Sequence, residues 1–349
     1  MAELGFDLPQ FHDSIDDITP PCATQLRVGH DQSCAFMLAA AKGGHHALIL
    51  DGERGIGKAT AAFHLANFLL ANDDAAKTDV LNAPDVETIT YRQIAQNVHP
   101  NLLYLTRPLK DDGKGFKTVI TVDEVRRLHR FLGMSASGGS KRVVVIDCLA
   151  DMNRNAANAV LKLLEEPPHN TLFLLISHGM GGLLPTIRSR CQIVRFSSLE
   201  TKDVETTLNQ VASSMINSEE ATKLAALSGG SVRHALMMAR SGGLELRDTL
   251  NAFLDAPNFD TATAHKLADV AGMRGSDEHN QLLRELVLEA VQKGALSSVS
   301  AGEISKAEKF SRFSAEFGER TRVADGFNLD RRQEFLITAN QLHTLFYGV

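Results

Sequence analysis

The run Gly52-Glu53-Arg54-Gly55-Ile56-Gly57-Lys58-Ala59 has the spacing of a phosphate-binding loop, G-x-x-x-x-G-K-[ST], at every position but the last. Its chemistry is electrostatic. The glycines let backbone N–H groups close around phosphate oxygens, the following helix points its positive end there, and Lys58 meets the outer phosphates. A Gly-rich turn can arise by chance. Here, however, it follows an apolar run at 46–50 and opens a helical pattern at 58–70, the context that the motif requires. The departure matters more than the match. Ala59 stands where a Ser or Thr hydroxyl would ligate Mg²⁺, and Thr60 is about 100° further round the helix. Phosphate binding can survive that change, whereas metal positioning should suffer.

A second constellation is Val143-Val144-Val145-Ile146-Asp147-Cys148, an apolar strand running into an acid. It resembles the second strand of a nucleotide site, where a metal-binding Asp precedes a catalytic Glu. Asp147 is in place, but Cys148 occupies the Glu position. A thiol does not serve as the carboxylate that orients and deprotonates water, and losing such a base costs ~10²–10⁴ in rate. Asp147 alone could be no more than a strand-end carboxylate. Two independent losses, at residues 59 and 148, favour a hydrolytically inactive site.

The elements that must hold these groups alternate. Strands are expected at 46–50, 142–147, 171–177 and 192–196, separated by helical patterns, which predicts a parallel sheet covered on both faces. After residue 196 the pattern is helical throughout: two short helices over 199–227, a Gly-Gly-Ser break, a helix at 232–240, a hinge at 241–243, and then an amphipathic bundle. The expected division is 1–196, an α/β domain; 197–243, a small helical lid; and 244–349, an all-α domain. Tracts 73–84 and 111–115 read as mobile loops.

Composition narrows the function. The chain has 349 residues, 44% of them hydrophobic and 22% charged, as in ordinary globular proteins of two or three domains. A net charge of −6 argues against broad phosphate neutralisation by this chain alone, and the absence of Trp argues against an aromatic platform for single strands. No stretch approaches the ~20 apolar residues of a membrane span, and the acidic start MAELGFDLPQFHDSIDD lacks a signal-peptide pattern. A cytoplasmic protein is expected. Cys22, Cys34, Cys148 and Cys191 are too dispersed for a zinc site or disulfide framework and read as isolated buried thiols. His45 and His46 lack metal-ligand partners at suitable spacing and read as structural.

Two further segments carry a family resemblance. Asn155-Ala156-Ala157-Asn158-Ala159-Val160-Leu161-Lys162-Leu163-Leu164-Glu165-Glu166-Pro167-Pro168 and the triplet Ser189-Arg190-Cys191 are very similar to segments of bacterial DNA polymerase III clamp-loader subunits and of eukaryotic replication factor C, in the AAA+ family. Periodicity alone makes the first a helix stopped by two prolines. The resemblance implies an AAA+ P-loop domain with helices on both faces, then a helical lid and a C-terminal collar. It implies that Arg190 is an arginine finger acting on a neighbouring subunit's ATP, where a guanidinium stabilises charge on the transferring phosphoryl group. A lone Arg would more readily be a structural ion pair. The resemblance also implies a polar first sensor at Ser177 and a second-sensor role for Arg233. Gly52, Gly55, Gly57, Lys58, Thr60 and Asp147 then form a degenerate nucleotide site.

The implied partners are the gamma/tau and delta subunits of a heteropentameric loader, with the sliding clamp and primed DNA reached through the complex. Hydrolysing subunits of the family carry the hydroxyl after Lys58 and a Glu after Asp147. They also carry a four-Cys zinc module, but 72–100 contains no Cys, so zinc is not expected. No cofactor is required, and residual ATP or ADP binding stays open. The alternative is an active ATPase of the gamma/tau or remodelling type, using Thr60 and Asp151. Asp151 lies four residues past Asp147, so that reading needs a bulge there.

Overall fold

The computed structural model describes residues 8–71, 80–110, 113, 115–133, 141–179, 181, 183–273 and 277–348. Most of the two tracts expected to be mobile, and the first seven residues, lie outside them. The chain divides into two compact units, Met1–Arg233 and His234–Val349. The boundary expected at 196/197 falls inside the first unit, and that expected at 243/244 lies ten residues beyond the observed division.

The first unit is built on five parallel strands: β1 (Ala47–Asp51), β2 (Leu102–Leu105), β3 (Arg142–Ile146), β4 (Thr171–Ser177) and β5 (Gln192–Arg195), in the order β2-β3-β4-β1-β5. Strand β2 is an addition to the four expected from the sequence. Alternate residues feed two cores. Leu48, Leu50, Val143, Val145, Leu172, Leu174 and Ile176 face α1 (Asp31–Lys42), α2 (Lys58–Ala71) and α3 (Ile89–Ala95). Ala47, Ile49, Val144, Ile146, Phe173 and Leu175 face α4 (Val122–Gly133) and α5 (Arg154–Glu165). Burial on both faces explains why these strands read as continuous apolar runs rather than alternating ones.

Helix α5 is the Asn155–Pro168 segment. Asn153 caps it by accepting from the Ala156 amide at 2.9 Å, and Ala156, Val160 and Leu164 form its buried stripe. Its end is tied back by His46, whose Nε2 lies 3.2 Å from the Leu164 carbonyl, a structural task. Helix α3 is held by buried contacts. Buried Tyr91 donates to the Ala23 carbonyl at 2.6 Å, and Cys22 Sγ meets the Ala95 carbonyl at 3.4 Å. Cys22, Cys34 and Cys148 are buried; Cys191 is only half-buried, a correction to the sequence reading, because it sits in the turn before β5.

After the short α6 (Pro185–Arg188) come α7 (Thr201–Val211) and α8 (Ser218–Leu227), the latter with a full capping box of Asn217 and Glu220. Helix α9 (Val232–Arg240) begins at the unit boundary. The second unit continues with α10 (Gly243–Asp255), α11 (Thr261–Gly272), α12 (Asp277–Ser300), α13 (Ile304–Phe327) and α14 (Arg331–Tyr347). Its core holds Phe253, Leu282, Val287, Phe310, Phe317 and Leu342. Arg284 and Asp325 pair at 2.7 Å, joining α12 to α13.

Candidate functional site

The phosphate-type loop leaves β1 and enters α2, and its glycines are conformationally required at two places. Gly52 (φ 156°) would put a Cβ 2.2 Å from the Phe196 carbonyl, and Gly55 (φ 81°) would put one 2.4 Å from both Arg233 Cβ and Ser231 Oγ. Ser231 and Arg233 therefore lie directly against the loop.

The loop's carbonyls are satisfied from within the chain. Lys58 Nζ donates to Gly52 O at 2.7 Å and to Glu53 O. Ser231 Oγ donates to Arg54 O at 2.9 Å, and the Arg233 amide to Gly55 O at 3.3 Å. His30 Nε2 lies 2.7 Å from Ile56 O, and the Ala61 amide donates to Gly57 O at 3.0 Å. Lys58 is 3% exposed, curled onto its own loop. Burial lowers its pKa to about 8, against the opposing pull of Asp147, Cys148, Asp51 and Glu53.

Asp147 ends β3 beside this loop and is buried. Its Oδ2 accepts from Tyr104 Oη at 3.0 Å. Burial, reinforced by the Asp13 carboxylate, raises its pKa to about 7, with Tyr104 and Lys58 opposing. Cys148 is also buried, its thiol pushed up to about 11 chiefly by that burial, far from a base active near neutrality. Beyond it the chain makes a 3-10 turn at Leu149–Asp151. Both carboxylate oxygens of Asp151 are engaged by Arg107, one of them by Nε at 2.7 Å. The turn brings in no free general base: Asp151 is occupied by a guanidinium.

A further group went unread in the sequence. The segment from Leu8 to Ser14 crosses the ends of β2 and β3. The Phe11 ring stands edge-on to Tyr104 with centroids 4.8 Å apart. His12 Nδ1 lies 2.8 Å from Thr106 Oγ1, and its Nε2 3.9 Å from Asp151. The Asp13 carbonyl accepts from the Arg233 guanidinium. Burial would raise the Asp13 pKa, but His12, Arg233 and Arg54 outweigh it and hold it below the ordinary carboxylate value. Asp13 is thus an anion among the site's cations.

Among the other expected site residues, Ser177 is buried at the end of β4, level with Asp51, and its Oγ accepts from the Gly179 amide at 3.2 Å. Thr60 is half-buried in the first turn of α2. Arg233 is brought to the loop but is bonded to Asp13. Arg190 is not brought to this group at all. It precedes β5 and donates to Glu165 Oε1 at 2.9 Å and to the Thr186 carbonyl at 2.9 Å, its side chain 35% exposed. Phe196, past the other end of β5, touches the loop. Four strand steps, roughly 13 Å, lead from Gln192 to Phe196, so Arg190 lies at the end of β5 remote from its own phosphate loop. Among the described residues, no cluster of His, Cys, Asp and Glu is placed to hold a metal, and no helix is long and apolar enough to cross a membrane.

A parallel sheet in this strand order, with a phosphate-type loop after β1, an acid at the end of β3 one strand further over and Arg233 beside the loop, has the arrangement of an AAA+-type P-loop domain. A family model described as "DNA polymerase III, delta subunit" matches residues 36–200. The delta-prime subunit of Pseudomonas aeruginosa DNA polymerase III is 40% identical over 146 residues, 42% of this chain and 41% of that protein. The Bacillus subtilis delta-prime subunit is 31% identical over 160 residues, 46% of this chain and 44% of that protein. Over residues 36–200, rather under half of its length, the chain is thus similar to the delta-type subunits of DNA polymerase III. It spans about two fifths of the length of these curated relatives. A solved DNA polymerase III gamma subunit-related protein from Thermotoga maritima is 16% identical with a TM-score of 0.42, the overlap covering 90% of this chain and 99% of that one. The strand order and the loop, rather than that low-scoring overlap, define the fold class.

Proposed function

We propose that the chain serves as the delta-prime subunit of a clamp loader. It joins gamma/tau and delta subunits in a five-membered assembly that opens a sliding clamp and sets it on primed DNA. The segments 1–196, 197–243 and 244–349 act as ATPase-like domain, lid and collar, and the assembly works in the cytoplasm. The chain turns over no ATP itself, and Arg190 completes the site of a neighbouring subunit.

The position of Arg190 carries this reading. It stands half-exposed at the end of the sheet away from its own loop, restrained by Glu165 in an exposed pair worth at most ~1 kcal/mol. Moving it to a neighbour's phosphate therefore costs little. The same loop lacks the metal-binding hydroxyl and the catalytic carboxylate, and its lysine is satisfied by its own backbone. The active-enzyme alternative needs Asp151, which Arg107 already holds.

The test is a loader reconstituted with native chain or with Arg190→Ala, assayed for ATP turnover with clamp and primed DNA. A loss of ~10³ at the neighbour's site is expected for an arginine finger. An unchanged rate with intact assembly refutes that role and leaves a scaffold. Brisk ATP hydrolysis by the isolated chain refutes the idle site.

A further inference from the structure

A segment of the chain itself lies beside the loop's cations. A phosphate loop works by offering amides and cations to an anion, and the cations here are Lys58, Arg54 and Arg233. Arg233 approaches the loop closely enough that its amide bonds Gly55 O, yet its guanidinium is spent on Asp13 O. The strap that carries Asp13 is anchored on both sides. Leu8 and Phe11 pack on the core below β2, and Phe11 stands against Tyr104, which in turn holds Asp147 at 3.0 Å. His12 is fixed between Thr106 and the Asp151–Arg107 pair. The carboxylate of Asp13 lies within electrostatic reach of Arg54 and Arg233 and stays ionised among them.

We propose that residues 11–13 form a built-in competitor for polyphosphate: the strap stands where a nucleotide's phosphates would lie, and anion binding requires it to lift. The loop is then closed by a removable segment of its own chain, in addition to lacking hydrolytic groups. This inference rests on the reading given above only in taking residues 52–58 as a phosphate loop.

The apparent affinity of such a site is the intrinsic affinity reduced by the fraction of molecules with the strap lifted. If about one molecule in a hundred is open, releasing the strap tightens binding by up to ~100-fold, and at least ~10-fold is expected. Calorimetric titration of the full chain with inorganic triphosphate, and in parallel with ATP, measures this. The variants are Asp13→Asn, which removes the charge and keeps the shape, and Phe11→Ala, which loosens the anchor and leaves every charge in place. Lys58→Ala added to Asp13→Asn asks whether the anion is at the loop.

Tighter triphosphate binding in both single variants, cancelled by Lys58→Ala, supports the proposal. Equal binding by native chain and variants overturns the competitor and leaves the phosphate loop standing. No binding by any folded variant overturns both. Tightening that survives Lys58→Ala overturns the proposal by placing the anion elsewhere. Tighter ATP binding without tighter triphosphate binding also overturns it, since the gain would then lie with the nucleoside. Hydrogen exchange on the native chain gives a readout free of substitution: triphosphate should speed exchange at residues 8–14, and unchanged protection under saturating triphosphate contradicts the strap's lifting.

Discussion

Asp147→Asn should stabilise the first unit, and do so only above acid pH. The carboxyl is buried against Tyr104 and shares its surroundings with the Asp13 carboxylate, which raises its pKa to about 7 from an ordinary 3.8. The sign follows from linkage. Below about pH 4 the group is protonated both folded and unfolded, so it costs nothing. Between pH 4 and 7 the unfolded chain ionises while the folded one holds its proton, and stability falls. Above pH 7 the loss is complete. A shift of about 3 units at ~1.36 kcal/mol each sets it near 4 kcal/mol. Asparagine keeps an oxygen for the Tyr104 hydroxyl and carries no charge. In a unit of this size ~1 kcal/mol moves the melting point by roughly 2–4 °C, so the variant should melt about 10 °C above native chain at pH 8 and level with it at pH 4. Thermal melts followed by circular dichroism across that range decide it. A variant no more stable at pH 8, or a gap that stays constant with pH, refutes the argument that a buried, charge-crowded carboxylate is retained here at a cost in stability.

Other outcomes follow from contacts. Gly55→Ala must place a methyl 2.4 Å from Arg233 Cβ at φ 81°, so urea denaturation should show a loss of about 2–3 kcal/mol, with faster hydrogen exchange at the start of α9. In the second unit, Gly294→Ala sets a Cβ 2.5 Å from the Phe310 ring, and overpacking should cost ~1–3 kcal/mol in the same assay. Arg190→Ala breaks an exposed pair with Glu165 and exposed hydrogen bonds to Thr186 and Ser189, and should leave the isolated chain's melting point within a degree or two.

The sheet was legible where strands are dense in β-branched or leucine residues, as in Arg142–Ile146 and Thr171–Ser177. Strand β2 was not, because four residues, Leu-Leu-Tyr-Leu, carry too little pattern to separate from a loop. The phosphate loop could be read because its residues are contiguous and its backbone conformation demands glycine. The departures from the motif at Ala59 and Cys148 are legible for the same reason. The strap could not. Asp13 meets Arg233 across 220 positions and His12 meets Thr106 across 94, and an acidic leader gives no local sign of such pairings. The role of Arg107 was likewise hidden, since its partner Asp151 is 44 residues away. Arg190 is singled out by the Ser-Arg-Cys triplet, while its place at the end of β5 remote from the loop emerges only from the strand register.

On the proposed reading this chain gives an arginine to its neighbour and hydrolyses nothing itself. The most direct measurement sets two variants side by side in the reconstituted loader, Lys58→Ala and Arg190→Ala, with clamp- and DNA-stimulated ATP turnover as the readout. An unchanged rate is expected for Lys58→Ala and a loss of ~10³ at the adjoining site for Arg190→Ala. A fall with Lys58→Ala and none with Arg190→Ala would mean that the chain burns ATP at its own loop, and would contradict that reading.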